Sequence, residues 1–280
     1  MSELFRALGA LAEAPGPAQV KIAAAIGLPG VPDTAEYADL FLFQLYPFGS
    51  VYLGVEGMLG GEARDRVAGF WGAIGEPPPE EPDHLTVLLS QLAAITERED
   101  HVDDAPGKRI LRHARHAFFW EHLGSWVFAY LQRARELGSP FYRVWAETLA
   151  TSLLEEAETL GAARELPLHF RSVPPLPGAN AGPDRLNEAL LAPVRSGLIL
   201  TRSDLARIAG EAAVGARFGE RRKTLDRMVG ESPSRTYERL AVEAERQAAL
   251  HRSGETVLGT IATYWADRAD AAVAALAARV

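Results

Sequence analysis

Glu81-Pro82-Asp83-His84 sets two carboxylates and an imidazole around a proline, where the acidic stretch Gly75-Glu76-Pro77-Pro78-Pro79-Glu80 runs into the apolar segment that starts at Leu85. This set contains no nucleophile. It is an acceptor set for a cation, and a carboxylate is a natural bidentate partner for a guanidinium. Further along, His122-Leu123-Gly124-Ser125-Trp126 places an imidazole and an indole one helical turn apart. Trp71, Ile74 and Trp120 lie near these segments, and aromatic anchors beside an acidic rim suit recognition of a peptide that is both apolar and basic, in a groove or as an extended strand. A plainer reading stands beside this one. Glu81 is a possible N-cap, Pro82 suits the first helical position and Asp83 complements the helix dipole. His84 and Trp126 are then packed side chains, and His122 bonds a carbonyl.

A second constellation, His101, Asp103, Asp104, His113 and His116, has metal-ligand residue types, with His113 and His116 at i,i+3. Arg109, Arg112 and Arg115 surround it and repel a dication, and no Glu-x-x-His pair recurs on another helix. A metal-dependent helical enzyme built on these residues is the alternative to a binding protein. The sequence holds no G-x-S-x-G elbow, no phosphate loop ending in Gly-Lys-Ser/Thr and no H-E-x-x-H helix. The glycine-rich run from Gly54 to Gly61 has no strand before it. The expectation is therefore no catalysis, no metal and no cofactor.

Few segments alternate with period two and many repeat apolar residues at three and four, so the positioning elements are helices. They are expected near 2–13, 17–26, 33–45, 63–73, 82–97, 107–137, 139–163, 184–195, 203–213, 217–229, 233–251 and 254–278. Leu85, Leu88, Leu89, Leu92 and Ile95 project on one face of the 82–97 helix, opposite Asp83, Thr86 and Ser90, with His84 at the margin. In the 107–137 helix, Ile110, Ala114, Ala117, Phe118 and Phe128 make one apolar face. Phe119, His122, Leu123 and Trp126 make another, as in a helix with neighbours on both sides. The run from Arg171 to Pro183 carries four prolines and excludes a helix. It divides the chain into 1–170, a 171–183 linker and a smaller helical domain at 184–280.

With 280 residues and 48% hydrophobic side chains, the chain can build a sizeable core. It has no cysteine, which removes disulfides and thiolate sites. Met1-Ser2-Glu3 carries acid where a signal peptide carries base, and no apolar run approaches the ~18 residues of a membrane span, so a cytoplasmic chain without membrane insertion is expected. The net charge of -8 is uneven: residues 184–280 hold 15 basic against 13 acidic residues, the rest 14 against 24. An acidic first part disfavours nucleic acid and favours a cationic partner.

Together, Glu81-Pro82-Asp83-His84 and His122-Leu123-Gly124-Ser125-Trp126 resemble the E-P-x-D-H and H-L-x-x-W patterns of the TorD/DmsD/NarJ family of molybdoenzyme chaperones. Tyr46-Pro47-Phe48-Gly49-Ser50-Val51-Tyr52-Leu53 is similar to the segment before the acidic motif in relatives, and Pro140-Phe141-Tyr142 to a later one. The resemblance covers roughly residues 35–165. It implies an all-α, TorD-like helical bundle that binds the twin-arginine leader of a molybdopterin oxidoreductase, or its apo catalytic subunit, until cofactor insertion is complete. By the same resemblance, Glu81, Pro82, Asp83, His84, His122, Leu123 and Trp126 line the peptide site, with Trp71 nearby. Asp83 faces the leader's arginines and Trp126 its apolar stretch. Relatives often carry a proline just past that tryptophan, where this chain has Val127-Phe128, so the helix is expected to run on unkinked.

The tail matches no familiar pattern. Thr201-Arg202-Ser203-Asp204 offers capping chemistry, and Gly219-Glu220-Arg221-Arg222-Lys223 opens a basic helix. With Arg217 these cations raise a third alternative, a ligand-sensing regulator with a DNA-binding tail, but a net +2 is far from a basic patch. A docking surface for the client or for a second protomer, giving a homodimer, fits the tail better.

Overall fold

Side chains cap several of the helix starts. In the computed structural model, which describes residues 1–178, 180–213 and 220–280, Asp33 caps Thr34–Tyr37 and Asp104 caps Ala105–Phe118. Ser139 caps Pro140–Leu160, and Thr201 with Asp204 forms a reciprocal capping box on Arg202–Glu211. Among the described residues the regular elements are all helices, and the one β feature is an antiparallel bridge between Phe48 and His84. The chain separates into two compact units, residues 1–50 with 60–167, and residues 51–59 with 168–280.

In the first unit, Ser2–Ala10 lies along Leu85–His101. The crossing is close because Gly9 has no side chain: its carbonyl accepts from Thr86 Oγ1 at 2.8 Å. Leu85, Leu88, Leu89, Leu92 and Ile95 form the buried stripe anticipated for the second of these helices. Each such side chain contributes roughly 1.5–3 kcal/mol on leaving water. Leu85–His101 then packs on Ala105–Phe118, and Val127–Leu137 on Pro140–Leu160. Trp145, from the last of these, donates its indole N–H to Leu8 O at 2.9 Å and ties the N-terminal helix in place.

The expected 107–137 helix is not continuous. Its middle is a π-helical turn at Phe119–Leu123, closed by Gly124 N–H to Phe119 O, and the α-helix resumes only at Val127. The extra residue in that turn rotates the two halves out of register, so one projected face is split, Phe128 lying on the second helix, while Phe119, His122 and Leu123 lie in the turn itself and Trp126 just before Val127. Ile110, placed on the inner face, is 69% exposed, while Arg115 on the same helix is buried. A similar π-helix, Ala38–Gln44, replaces most of the expected 33–45 helix.

In the second unit, Pro233–Ser253 and Thr260–Ala277 pack along their lengths. Ala244, Ala248, Ala269 and Ala272 are fully buried, and such small residues let backbones approach. The expected 254–278 helix is interrupted at Gly259, whose φ of 53° leaves the right-handed region. Residues 217–219 of the expected 217–229 helix, Arg217 included, lie outside the described residues; the rest forms within Arg221–Glu231. The proline-rich stretch is non-helical over 173–178, and it is tethered within this unit. Arg268 donates to Val173 O and Pro174 O, and Arg279 to Gly178 O and Ala181 O.

Candidate functional site

The backbone of Asp83-His84-Leu85 is spent on a short pairing with Pro47-Phe48-Gly49. Leu85 N–H donates to Pro47 O at 2.8 Å, Gly49 N–H to Asp83 O at 2.9 Å, and Phe48 and His84 form the antiparallel bridge. A backbone committed in this way cannot also be helical, so the helix begins at Leu85. Its N-cap is His84, whose Nδ1 accepts from Thr86 N–H at 3.2 Å, and not Glu81 with Pro82 in the first turn. The His84 ring meets Phe48 edge-on at 4.7 Å. Burial holds the imidazole pKa below its ordinary value, and the carboxylates of Glu13 and Asp83 oppose that shift.

Asp83 is only 2% exposed, and its Oδ2 accepts from Ser50 N–H at 2.9 Å. The carboxylate expected to face a leader's arginines therefore holds the start of the Gly49–Leu53 helix. Ser50 is itself buried, and its hydroxyl accepts from Gly60 N–H at 3.0 Å. Gly49 sits between the two motifs. A Cβ there would stand 3.1 Å from Trp126 Nε1 and 3.7 Å from Asp83 O, so only glycine lets the indole close over this knot.

Trp126 is fully buried and donates its indole N–H to His122 O at 3.0 Å. The His122 ring lies 5.6 Å from Phe70 and 5.9 Å from Phe118, and Trp71 lies 6.0 Å from Phe118. Leu123 and Pro82 are buried as well; Glu81 is exposed and His84 half-buried. Four of the predicted residues, Trp71, His122, Trp126 and Asp83, thus form one chain of contacts through Phe118 and Gly49. Most of that chain is interior, and its accessible edge is Glu81, His84 and Phe48.

The histidines of the other constellation have local partners. His101 Nδ1 pairs with Glu97 O at 2.7 Å and His116 Nε2 with Ala162 O at 3.1 Å. His113 Nε2 lies 3.5 Å from a nitrogen of Arg164, and Asp104 is spent on its cap. Among the described residues no group of three or more His, Asp or Glu is placed to hold a metal ion.

Sequence reasoning missed a buried ion-pair network. Arg115 grips Glu156 with two nitrogens, at 2.6 and 2.5 Å, and reaches Glu99 at 3.2 Å. Burial opposes its charge, but the two carboxylates outweigh burial and raise the guanidinium pKa. In the sequence Arg115 looks like one more residue of a solvated Arg/His face. The only available signal was the spacing from Arg115 to its apolar helix mate Phe118.

No curated protein matches the chain. The family model described as the nitrate reductase delta subunit matches residues 33–131, a stretch that contains the Pro47–Ser50 segment, the Asp83 motif and the His122–Trp126 motif. Over that stretch the chain is similar to the nitrate reductase delta subunit family, which is of NarJ/TorD type.

Proposed function

We propose that this protein is a cytoplasmic, system-specific chaperone that binds the leader peptide or apo form of a molybdopterin oxidoreductase and assists cofactor insertion before export. The delta-subunit family is one of molybdoenzyme maturation chaperones and not of enzymes. The observation that carries the reading is that the matched stretch contains every member of the Asp83–Trp126 contact chain. Within the chain, Asp83, Pro82, Leu123, Trp126, Trp71 and His122 shape the site from inside. Glu81 and His84 stand at its surface, where a basic and apolar peptide meets them. Leu42 and Phe43, 47% and 50% exposed at the end of Ala38–Gln44, supply apolar surface in the same matched stretch. We assign the peptide-binding work to residues 1–170, and to residues 184–280 a docking role toward the client or a second protomer.

Two observations favour this over the alternatives. The described tail cations have partners in their own unit: Arg221 donates to Leu200 O, Arg222 pairs with Asp226, and the exposed Lys223 pairs with Glu220. No helix among the described residues is long and apolar enough to cross a membrane.

The test is a calorimetric titration of the purified protein with a synthetic twin-arginine leader and with its Lys-Lys variant, at two salt concentrations. Micromolar binding that drops for the variant and weakens with salt is expected. Equal binding of both peptides, or no binding to several leaders, rejects leader recognition.

A further inference from the structure

The helix Ala105–Phe118 carries four Lys or Arg, two His and no carboxylate, although over residues 1–183 acids outnumber bases 24 to 14. Arg115 turns inward to Glu156 and Glu99. The other basic residues turn outward: Lys108, Arg109, Arg112 and His113 are exposed and His116 is half-buried. Helical register gathers them on one side, with Ile110 at the margin. Ile110 is 69% exposed, an apolar side chain set among cations. The end of Pro140–Leu160 and the turn after it complete the surface. Arg112 donates to Thr159 O at 3.3 Å, His116 Nε2 lies 3.1 Å from Ala162 O, and a nitrogen of the exposed Arg164 lies 3.5 Å from His113 Nε2. Of the acids nearby, Asp104 is spent on the helix cap, and Glu99 and Glu156 on Arg115. Asp103, Glu155 and Glu158 are exposed, and no ion pair joins any of them to Lys108, Arg109, Arg112 or Arg164.

We propose that Lys108, Arg109, Ile110, Arg112, His113 and Arg164 form a docking surface for a short acidic segment of a partner protein, one in which carboxylates flank an apolar side chain. Cations without a paired carboxylate keep the local potential positive, and that potential selects an anion. The guanidinium groups of Arg109, Arg112 and Arg164 match carboxylates in bidentate fashion. Ile110 selects a protein over a nucleic acid, whose phosphates offer it nothing to bury against, and the acid excess of the surrounding chain repels a long polyanion. One exposed apolar residue on this helix also falls short of the apolar face that seats a helix in a membrane interface. The charge is opposite in sign to that of the Glu81–His84 edge, so this surface takes a different ligand from the leader site.

The test is an NMR titration of the full chain, read on its backbone amides, with a synthetic peptide of four glutamates around one leucine and with its four-glutamine counterpart. Saturable shifts confined to Ala105–Phe118 and residues 159–164 are expected with the glutamate peptide, and none with the glutamine one. The double variant Lys108→Glu/Arg109→Glu should weaken binding about tenfold. Ile110→Ser should weaken it about fivefold. Both change only exposed side chains, so the melting temperature should hold. Lys21→Glu/Arg143→Glu makes the same change of net charge at two other exposed cations and should leave binding nearly unchanged. Equal shifts from both peptides, equal weakening by the two double variants, or tighter binding of a single-stranded oligonucleotide or of phosphatidylglycerol vesicles would overturn the assignment. The probe is anionic, so failure of a cationic leader to bind leaves this result independent.

Discussion

Asp83 shows how a residue with ligand chemistry can be consumed by the fold. A carboxylate at a helix start in an acidic loop reads from the sequence as an arginine acceptor or a helix cap. Here it does neither job for its own helix, and accepts Ser50 N–H from a segment 33 positions earlier. Replacement by alanine leaves that buried N–H without its acceptor, which costs about 1–3 kcal/mol. Asp83→Ala should therefore lower the urea midpoint by that amount, and Asp83→Asn, which keeps a carbonyl oxygen in place, should lower it less. If the two variants unfold at the wild-type midpoint, the Ser50 contact contributes nothing and the carboxylate is free for a ligand. Leader affinity measured on Asp83→Asn then separates the roles, since a loss of binding larger than the loss of stability points to direct contact.

Between helices, the decisive feature is the π-helical turn at Phe119–Leu123, because it sets the angle at which Trp126 meets Gly49. Gly124 closes it, and a Cβ there would stand 3.1 Å from both Phe119 Cε1 and Trp120 Cε3. Gly124→Ala should cost about 1–3 kcal/mol through overpacking. It should also shift tryptophan emission, as the indoles move against their neighbours. Unchanged emission and stability would mean that the turn relaxes freely and does not position Trp126. This is also where legibility in the sequence ends. The Leu85–Ile95 stripe and the Thr201 cap are local patterns, and each appears where its spacing places it. A π-turn has no comparable local pattern, so one wheel drawn through Lys108–Leu137 merged two helices and put Ile110 inside. The two motifs of the candidate site were legible because each is contiguous in sequence. Its burial was not, since that depends on Gly49 and Ser50 arriving from elsewhere in the chain.

Across the whole molecule, burial lowers the pKa of a histidine in each unit. Burial lowers the His84 pKa in the first unit against the pull of Glu13 and Asp83. In the second unit, burial likewise lowers the pKa of His251, against the hydrogen bond of 2.9 Å between its Nε2 and Gly197 O. A histidine whose folded pKa lies below its unfolded value binds its proton more tightly when unfolded. Unfolding therefore takes up protons, and stability rises with pH through the interval between the two values. Above the unfolded value of about 6.5 the neutral rings cost nothing, and below it the native state is progressively penalised until the folded pKa is passed. Melting temperature should thus fall between about pH 7 and pH 5, a range above most carboxylate titration. His251→Gln, which retains a donor for Gly197 O, should flatten the acid-side slope for the second unit, and His84→Gln that for the first. A melting temperature level over this range, or a slope indifferent to both substitutions, would show that neither imidazole is held neutral by its burial.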